Sequence, residues 1–229
     1  GGNGSRGWGV VIADSDVAAN LTRIYEADST FVDRMSWETG RPDDPVESEV
    51  ANASYPARFE AVSSTAESVT VLAAPDNAGS SVERALDSAN RSIRVQQVSV
   101  DPEGPLVNAT VAAARRGVSV KLLLSGAWYV ESDNRAIAKR LQAQAEKEEL
   151  PLEVRLAEPR SRYEHVHVKG VLIDGESTFV GSLNWNVNAR TNNREVLVRI
   201  EDPATATLFE RVFRADWRGA AWRISWVVV

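Results

Sequence analysis

Between positions 68 and 217 the chain alternates short apolar runs with longer stretches whose apolar residues recur at helical spacing. Ser68–Ala73, Ser92–Val100, Val118–Leu124 and Leu152–Leu156 are rich in Val, Leu and Ile, and each is predicted as a strand. The intervening segments read as helices. Ser80–Asn90 carries Val82, Leu86 and Ala89 on one stripe, Pro105–Gly117 opens on a proline and ends at a glycine, and Asn134–Glu149 is built from strong helix formers. A last strand at Glu195–Ile200 is followed by a helix at Ala204–Ala215. Strands that alternate with helices imply an α/β sandwich around a mixed sheet.

The stretch from Tyr163 to Ile173 is also strand-like and contains no proline. Asp174-Gly175 follows it as a hairpin turn, and Thr178–Val180 is the expected return strand. Side chains alternate faces along a strand, so His165, His167 and Lys169 share one face while Val166, Val168 and Val171 are placed for packing. The hairpin would return Ser182 and Asn184, in the turn Gly181-Ser182-Leu183-Asn184, to the sheet end that carries His167 and Lys169. A neutral imidazole is a competent nucleophile towards phosphorus. An ammonium and small polar donors can hold the non-bridging oxygens as charge moves in the transition state. The residues therefore suit a phosphodiester, and they call for no metal, no cofactor and no cysteine.

His167-x-Lys169, four residues, Asp174, six residues, then Gly181-Ser182-x-Asn184 is similar to the full HxKx4Dx6GSxN motif of the phospholipase D superfamily. The downstream Asn193-Arg194-Glu195-Val196 resembles the strand that follows the motif in that family, and the likeness extends over about 68–217. It implies a two-step displacement. His167 attacks phosphorus to give a phosphohistidine, and a second histidine protonates the leaving alcohol and then activates water or an acceptor alcohol. It further implies that Lys169, Ser182 and Asn184 grip the phosphoryl oxygens, and that Asp174 is counted with the catalytic motif in a supporting role. Glu195 would orient the histidine of an opposing lobe. His165, the other of two histidines, is read as a neighbour that shapes the pocket electrostatically, because no Asp or Glu on its strand face completes a zinc site. Each has a plainer reading: a solvated strand edge for His167 and Lys169, a turn residue for Asp174, Ser182 and Asn184, a surface glutamate for Glu195. Trp185 reads as packing rather than as a lining of the substrate entrance.

A second half-site is needed, and the first residues suggest its origin. At an offset of 188 positions, the distance from Asp14 to Asp202, residues 9–28 match residues 197–216, with Arg23 on Arg211, Ile24 on Val212, Tyr25 on Phe213 and Asp28 on Asp216. Each copy reads as a short strand ending at an Asp, then an amphipathic helix. One departure stands out: Gly7 occupies the place of Glu195. The expected organisation is a strand-helix remnant of a preceding lobe at 1–28, a linker at 29–67 rich in Ser, Asp and Glu with Pro42, Pro45 and Pro56, the catalytic lobe at 68–217, and an apolar tail at 218–229. The chain is expected to be part of a longer polypeptide whose upstream lobe supplies the second histidine; a homodimer mate is the second choice.

Composition narrows the partner more than the chemistry. The 229 residues carry a net charge of -6, which gives no overall basic field for nucleic acid. The apolar end from Trp222 to Val229 reads equally as a last strand or as the start of a membrane span. Phospholipid is thus the favoured phosphodiester substrate, by hydrolysis or phosphatidyl transfer, with a nuclease and a catalytically silent phosphate-binding scaffold as alternatives. Glycosylation triplets at Asn3, Asn20, Asn52 and Asn108 hint at an exported or membrane-associated protein, and absence of cysteine fits any compartment.

Overall fold

The computed structural model describes residues 4–30, 59–157 and 165–220. In chain order these form β1 (Ser5–Arg6), α1 (Ser15–Ser29), β2 (Ser68–Ala74), α2 (Ala78–Ser88), β3 (Ser92–Gln97), α3 (Pro105–Arg115), β4 (Ser119–Ser125), α4 (Glu131–Lys147), β5 (Leu152–Ala157), β6 (His165–Val166), β7 (Gly170–Ile173), β8 (Ser177–Gly181), α5 (Val187–Thr191), β9 (Glu195–Glu201) and α6 (Pro203–Gly219).

A seven-stranded mixed sheet runs in the order β2-β9-β8-β7-β3-β4-β5. β3, β4 and β5 are parallel because α3 and α4 carry the chain back between them; the strands from β2 to β7 are antiparallel and include the β7–β8 hairpin. The period of two decides what each face buries. Val120, Leu122 and Leu124 of β4 point into one layer with α2, α3 and α4, while Leu123 points into a second layer with Phe209, Phe213 and Trp217 of α6. The expected α/β sandwich around a mixed sheet is therefore the observed fold. Element ends differ slightly: α4 begins at Glu131 rather than Asn134, since Glu131 and Asp133 suit the positive end of a helix. The glycine expected to close α3 does so, with Gly117 at φ 91°.

The expected continuous strand from Tyr163 to Ile173 is interrupted. β6 ends at Val166 and β7 begins at Gly170, because β6 pairs with β1 in a separate two-stranded sheet while β7 pairs with β3 and β8. Alternation survives the break, since Val166 and Val168 are buried against α6. Val171 is buried as well, but in the opposite layer, on the same parity as His167 and Lys169. Its expected grouping with Val166 and Val168 is thus corrected by simple counting along the strand.

Residues 4–30 lie on the lobe. β1 runs parallel to β6, Trp8 tilts against Phe209 with ring centroids 4.7 Å apart, and the indole covers Gly170, where a Cβ would come within 2.3 Å of Trp8 Cε3. Residue 170 must therefore be glycine for this docking. α1 is present, capped by the Asp14 carboxylate, which accepts from the Asp16 and Val17 N–H groups. The short strand expected just before Asp14 is not formed: among the described residues, 7–14 has no strand partner, and Val11 is fully exposed. The expected linker falls mostly outside the described residues, and 59–67 is irregular as far as the edge of β2. The expected apolar tail at 218–229 starts inside α6, and its Trp222–Val229 end lies outside the described residues.

Candidate active site

The site forms where β7 begins and β8 ends. Gly170 pairs with Val180 in the antiparallel hairpin, so Lys169 and Val168 come opposite Gly181 and Ser182. Gly181 admits the neighbouring strand closely: a Cβ there would lie 2.3 Å from the Val196 carbonyl oxygen. Ser182 is fastened to that strand, its N–H donating to Val196 O at 2.9 Å and its Oγ accepting from Val196 N–H at 3.1 Å. Asn184 Oδ1 is buried and has no hydrogen-bond partner among the described residues. An amide oxygen only accepts, so the group of Asn184 that could donate to a phosphoryl oxygen is its Nδ2. Trp185 is buried, as the packing reading requires.

His167 and Lys169 are in contact. Lys169 Nζ stands 2.9 Å from His167 Nδ1 and 3.2 Å from Nε2. Burial lowers the pKa of His167, and the charges of Lys169 and His165 lower it further. Burial also pulls Lys169 down to about 8, against the opposing effect of Glu195. The arrangement favours a neutral imidazole beside an ammonium that keeps its proton near neutral pH. His165 sits on β6 with Tyr129 edge-on, ring centroids 6.1 Å apart.

Asp174 is elsewhere. It terminates β7 at the opposite end, five residues from Lys169, or about 16 Å along a strand. At φ 56°, followed by Gly175 at φ 71°, it makes the expected hairpin turn. Its carboxylate accepts from the N–H groups of Asn90 at 3.0 Å, Arg91 at 2.8 Å and Ser92 at 2.7 Å. Burial opposes the charge, yet the Ser92, Asn90 and Arg91 N–H groups and the Arg91 charge outweigh it and lower the pKa. The structure therefore separates Asp174 from the catalytic group in which the motif counts it, and makes it an anchor of the hairpin on β3. Asp174→Ala should cost about 2 kcal/mol by stranding these donors. Asp174→Asn should cost less, since it keeps an acceptor and tolerates the turn; urea unfolding of both variants checks the difference. The carboxylate's contribution is present above its unfolded pKa and disappears as pH falls through the lower folded value.

Two site neighbours escaped the sequence reading. Gln97 follows Gln96, which pairs with Gly170, so it comes opposite Lys169; its Oε1 is buried and unpartnered among the described residues. The polar pair Gln96-Gln97 inside an apolar strand was the available signal. Arg6 is the other: His167 N–H donates to its carbonyl at 2.8 Å, and nothing local to position 6 points there.

This fold, a mixed seven-stranded sheet between two helical layers, places the chain in a class: the phospholipase D superfamily. The family model described as "Cardiolipin synthase, PLD-like domain" matches residues 82–217, and the chain belongs to that family. Among curated proteins, the mitochondrial cardiolipin hydrolase of Danio rerio is 34% identical over 56 residues, 24% of this chain and 25% of that protein's length. Among solved structures, Nuc from Salmonella typhimurium, a phospholipase D family member, has a TM-score of 0.53 at 28% identity, covering 67% of this chain and 96% of that one. NucT from Helicobacter pylori has the same fold, with a TM-score of 0.57 at 21% identity over 67% of this chain and 98% of that one.

Proposed function

We propose that the protein cleaves phosphodiesters, phospholipids foremost, through a covalent phosphohistidine at His167. The observation that carries this reading is the contact of Lys169 Nζ with the His167 ring, at the sheet end where the GSxN turn returns. In the first step an imidazole nitrogen lone pair bonds to phosphorus and the P–O bond to the leaving alcohol breaks, a second histidine giving that oxygen its proton. In the second step water, or an acceptor alcohol, loses a proton to the second histidine and attacks phosphorus, and the P–N bond breaks. Lys169, Ser182 and Asn184 hold the phosphoryl oxygens throughout, and no step requires a metal.

The second histidine comes from another lobe, on the same polypeptide or on a mate. A lobe of the same polypeptide is favoured by the outer face of α1, where Leu21 and Tyr25 are exposed. Their counterparts 188 positions on, Phe209 and Phe213, are buried against the sheet. Those two positions on α1 look built for a sheet that the described residues do not supply.

Lipid is favoured over nucleic acid by the net charge of -6 and by the cardiolipin names of the matched family and relative. Side-by-side incubation with cardiolipin-containing vesicles and with single-stranded DNA, both in EDTA, tests the preference. Release of phosphatidic acid without DNA cleavage is expected; the reverse pattern would make the protein a nuclease, and no turnover of either by a protein containing both lobes would favour the silent scaffold.

A further inference from the structure

Among the described residues, two ion pairs that tie the N-terminal segment to the lobe are crossed. Arg6 forks Asp216, with Nε to Oδ2 and Nη2 to Oδ1 both at 3.1 Å. Arg194 grips Asp28 in turn, with Nε to Oδ2 at 2.8 Å and Nη2 to Oδ1 at 2.7 Å. The arginines are 188 positions apart, and so are the aspartates. So also are Asp14 and Asp202, whose carboxylates cap α1 and α6 through the same two N–H positions. Residues 6–28 and 194–216 therefore hold each other reciprocally, as two copies of one unit do across a twofold axis. Position 7 in one corresponds to position 195 in the other.

Position 7 directly follows Arg6, whose carbonyl holds the N–H of the candidate nucleophile. Ser5 pairs with His165 and Arg6 with Val166, and His167 N–H donates to the Arg6 carbonyl at 2.8 Å, so the same register carried one residue past the paired strands would bring residue 7 level with His167. Level residues of a parallel pair present their side chains on the same face, about 5 Å apart. A carboxylate at position 7 would stand beside the imidazole, but the residue there is glycine.

We propose that Gly7 sets the role of His167. By withholding the carboxylate that Glu195 presents at the equivalent position, it leaves His167 a neutral nucleophile and assigns the proton-carrying role to the histidine that docks level with Glu195. The assignment of roles rests on the phosphohistidine reading, whereas the surroundings of His167 can be tested without turnover. The titratable and charged groups around the imidazole support it. Lys169 touches the ring, His165 precedes it on β6, and Arg6 on β1 is engaged with Asp216; Lys169 and His165 both oppose an imidazolium. Glu195 acts on Lys169. No carboxylate pairs with His167 among the described residues.

With two histidines in the chain, an NMR titration of the imidazole resonances reads the effect directly, with a His165→Asn background to assign them. A Cβ at Gly7 meets nothing within 4 Å, and Gly7 is not among the glycines with positive φ, so a side chain fits there. Gly7→Glu is expected to raise the His167 midpoint by about one pH unit or more, and Gly7→Gln to leave it in place. Gly7→Asp gives a second reading should the longer variant not fold. A folded carboxylate variant with the wild-type midpoint overturns the proposal, as does an equal rise in Gly7→Gln. Failure to trap a covalent adduct with the titration behaving as expected would instead sink the phosphohistidine step and leave the proposed surroundings of His167 standing.

Discussion

Replacing His167 by Ala is expected to abolish turnover, with a loss on the order of 10⁴-fold or more, because nucleophile and covalent intermediate vanish together. A chromogenic phosphodiester isolates the step. A phenolate leaving group departs without a proton, so the first displacement needs only His167 and the groups around it. The described chain should then release one equivalent of phenolate in a burst and stall as the phosphohistidine, and a protein holding both lobes should continue to turn over. His167→Ala should show neither burst nor acid-labile adduct. His165→Ala should keep both, since the effect of His165 on its neighbour's pKa is that of a nearby charge. A full burst in His167→Ala would remove the imidazole from the mechanism altogether.

Lys169→Met is expected to lower the burst rate by roughly 10²–10³-fold, the cost of one preorganised donor to a developing oxyanion. The pH profile gives a sharper check. Lys169 keeps its proton below about 8, so the rate should fall as pH rises through that value. His167 is depressed below its ordinary range by burial, Lys169 and His165, so the neutral ring persists to lower pH than an exposed histidine would allow. A plateau bounded by these two groups follows. Glu195 opposes the depression of Lys169, and Glu195→Gln should therefore move the alkaline limb to lower pH. Folding stability carries the same signal with a definite sign. The unfolded lysine titrates near 10.5, so between about 8 and 10.5 the unfolded chain holds a proton that the folded chain has released, and stability should rise with pH across that window. Below it the cost of burying the ammonium is fully present. Lys169→Met should accordingly melt higher than wild type at neutral pH while losing activity, as expected of a group kept for function rather than fold. An unchanged alkaline limb in Glu195→Gln would show that the two groups do not communicate.

What the sequence by itself determined is local. Period-two runs gave the strands, although Val171 packs in the layer opposite Val166 and Val168, Asp174-Gly175 marked a turn with positive φ at both residues, and Gly181 stands where a neighbouring backbone leaves no room for a Cβ. The spacing from His167 to Asn184 is long enough for one hairpin, so it also placed Lys169 and Ser182 at one sheet end. Tertiary structure decided the rest. The break after Val166 exists because a segment some 160 positions earlier supplies the pairing strand, and no periodicity near either segment encodes that choice. Asp174 belongs to the motif in sequence yet ends far from His167, because an extended strand carries five residues the length of the sheet rather than around a turn. The depressed charge states of His167 and Lys169, and the crossed grip of Arg6 on Asp216 and Arg194 on Asp28, arise only when distant groups are desolvated side by side. Desolvation and long-range pairing are properties of the packed chain, whereas face, turn and spacing are already present in the order of its residues.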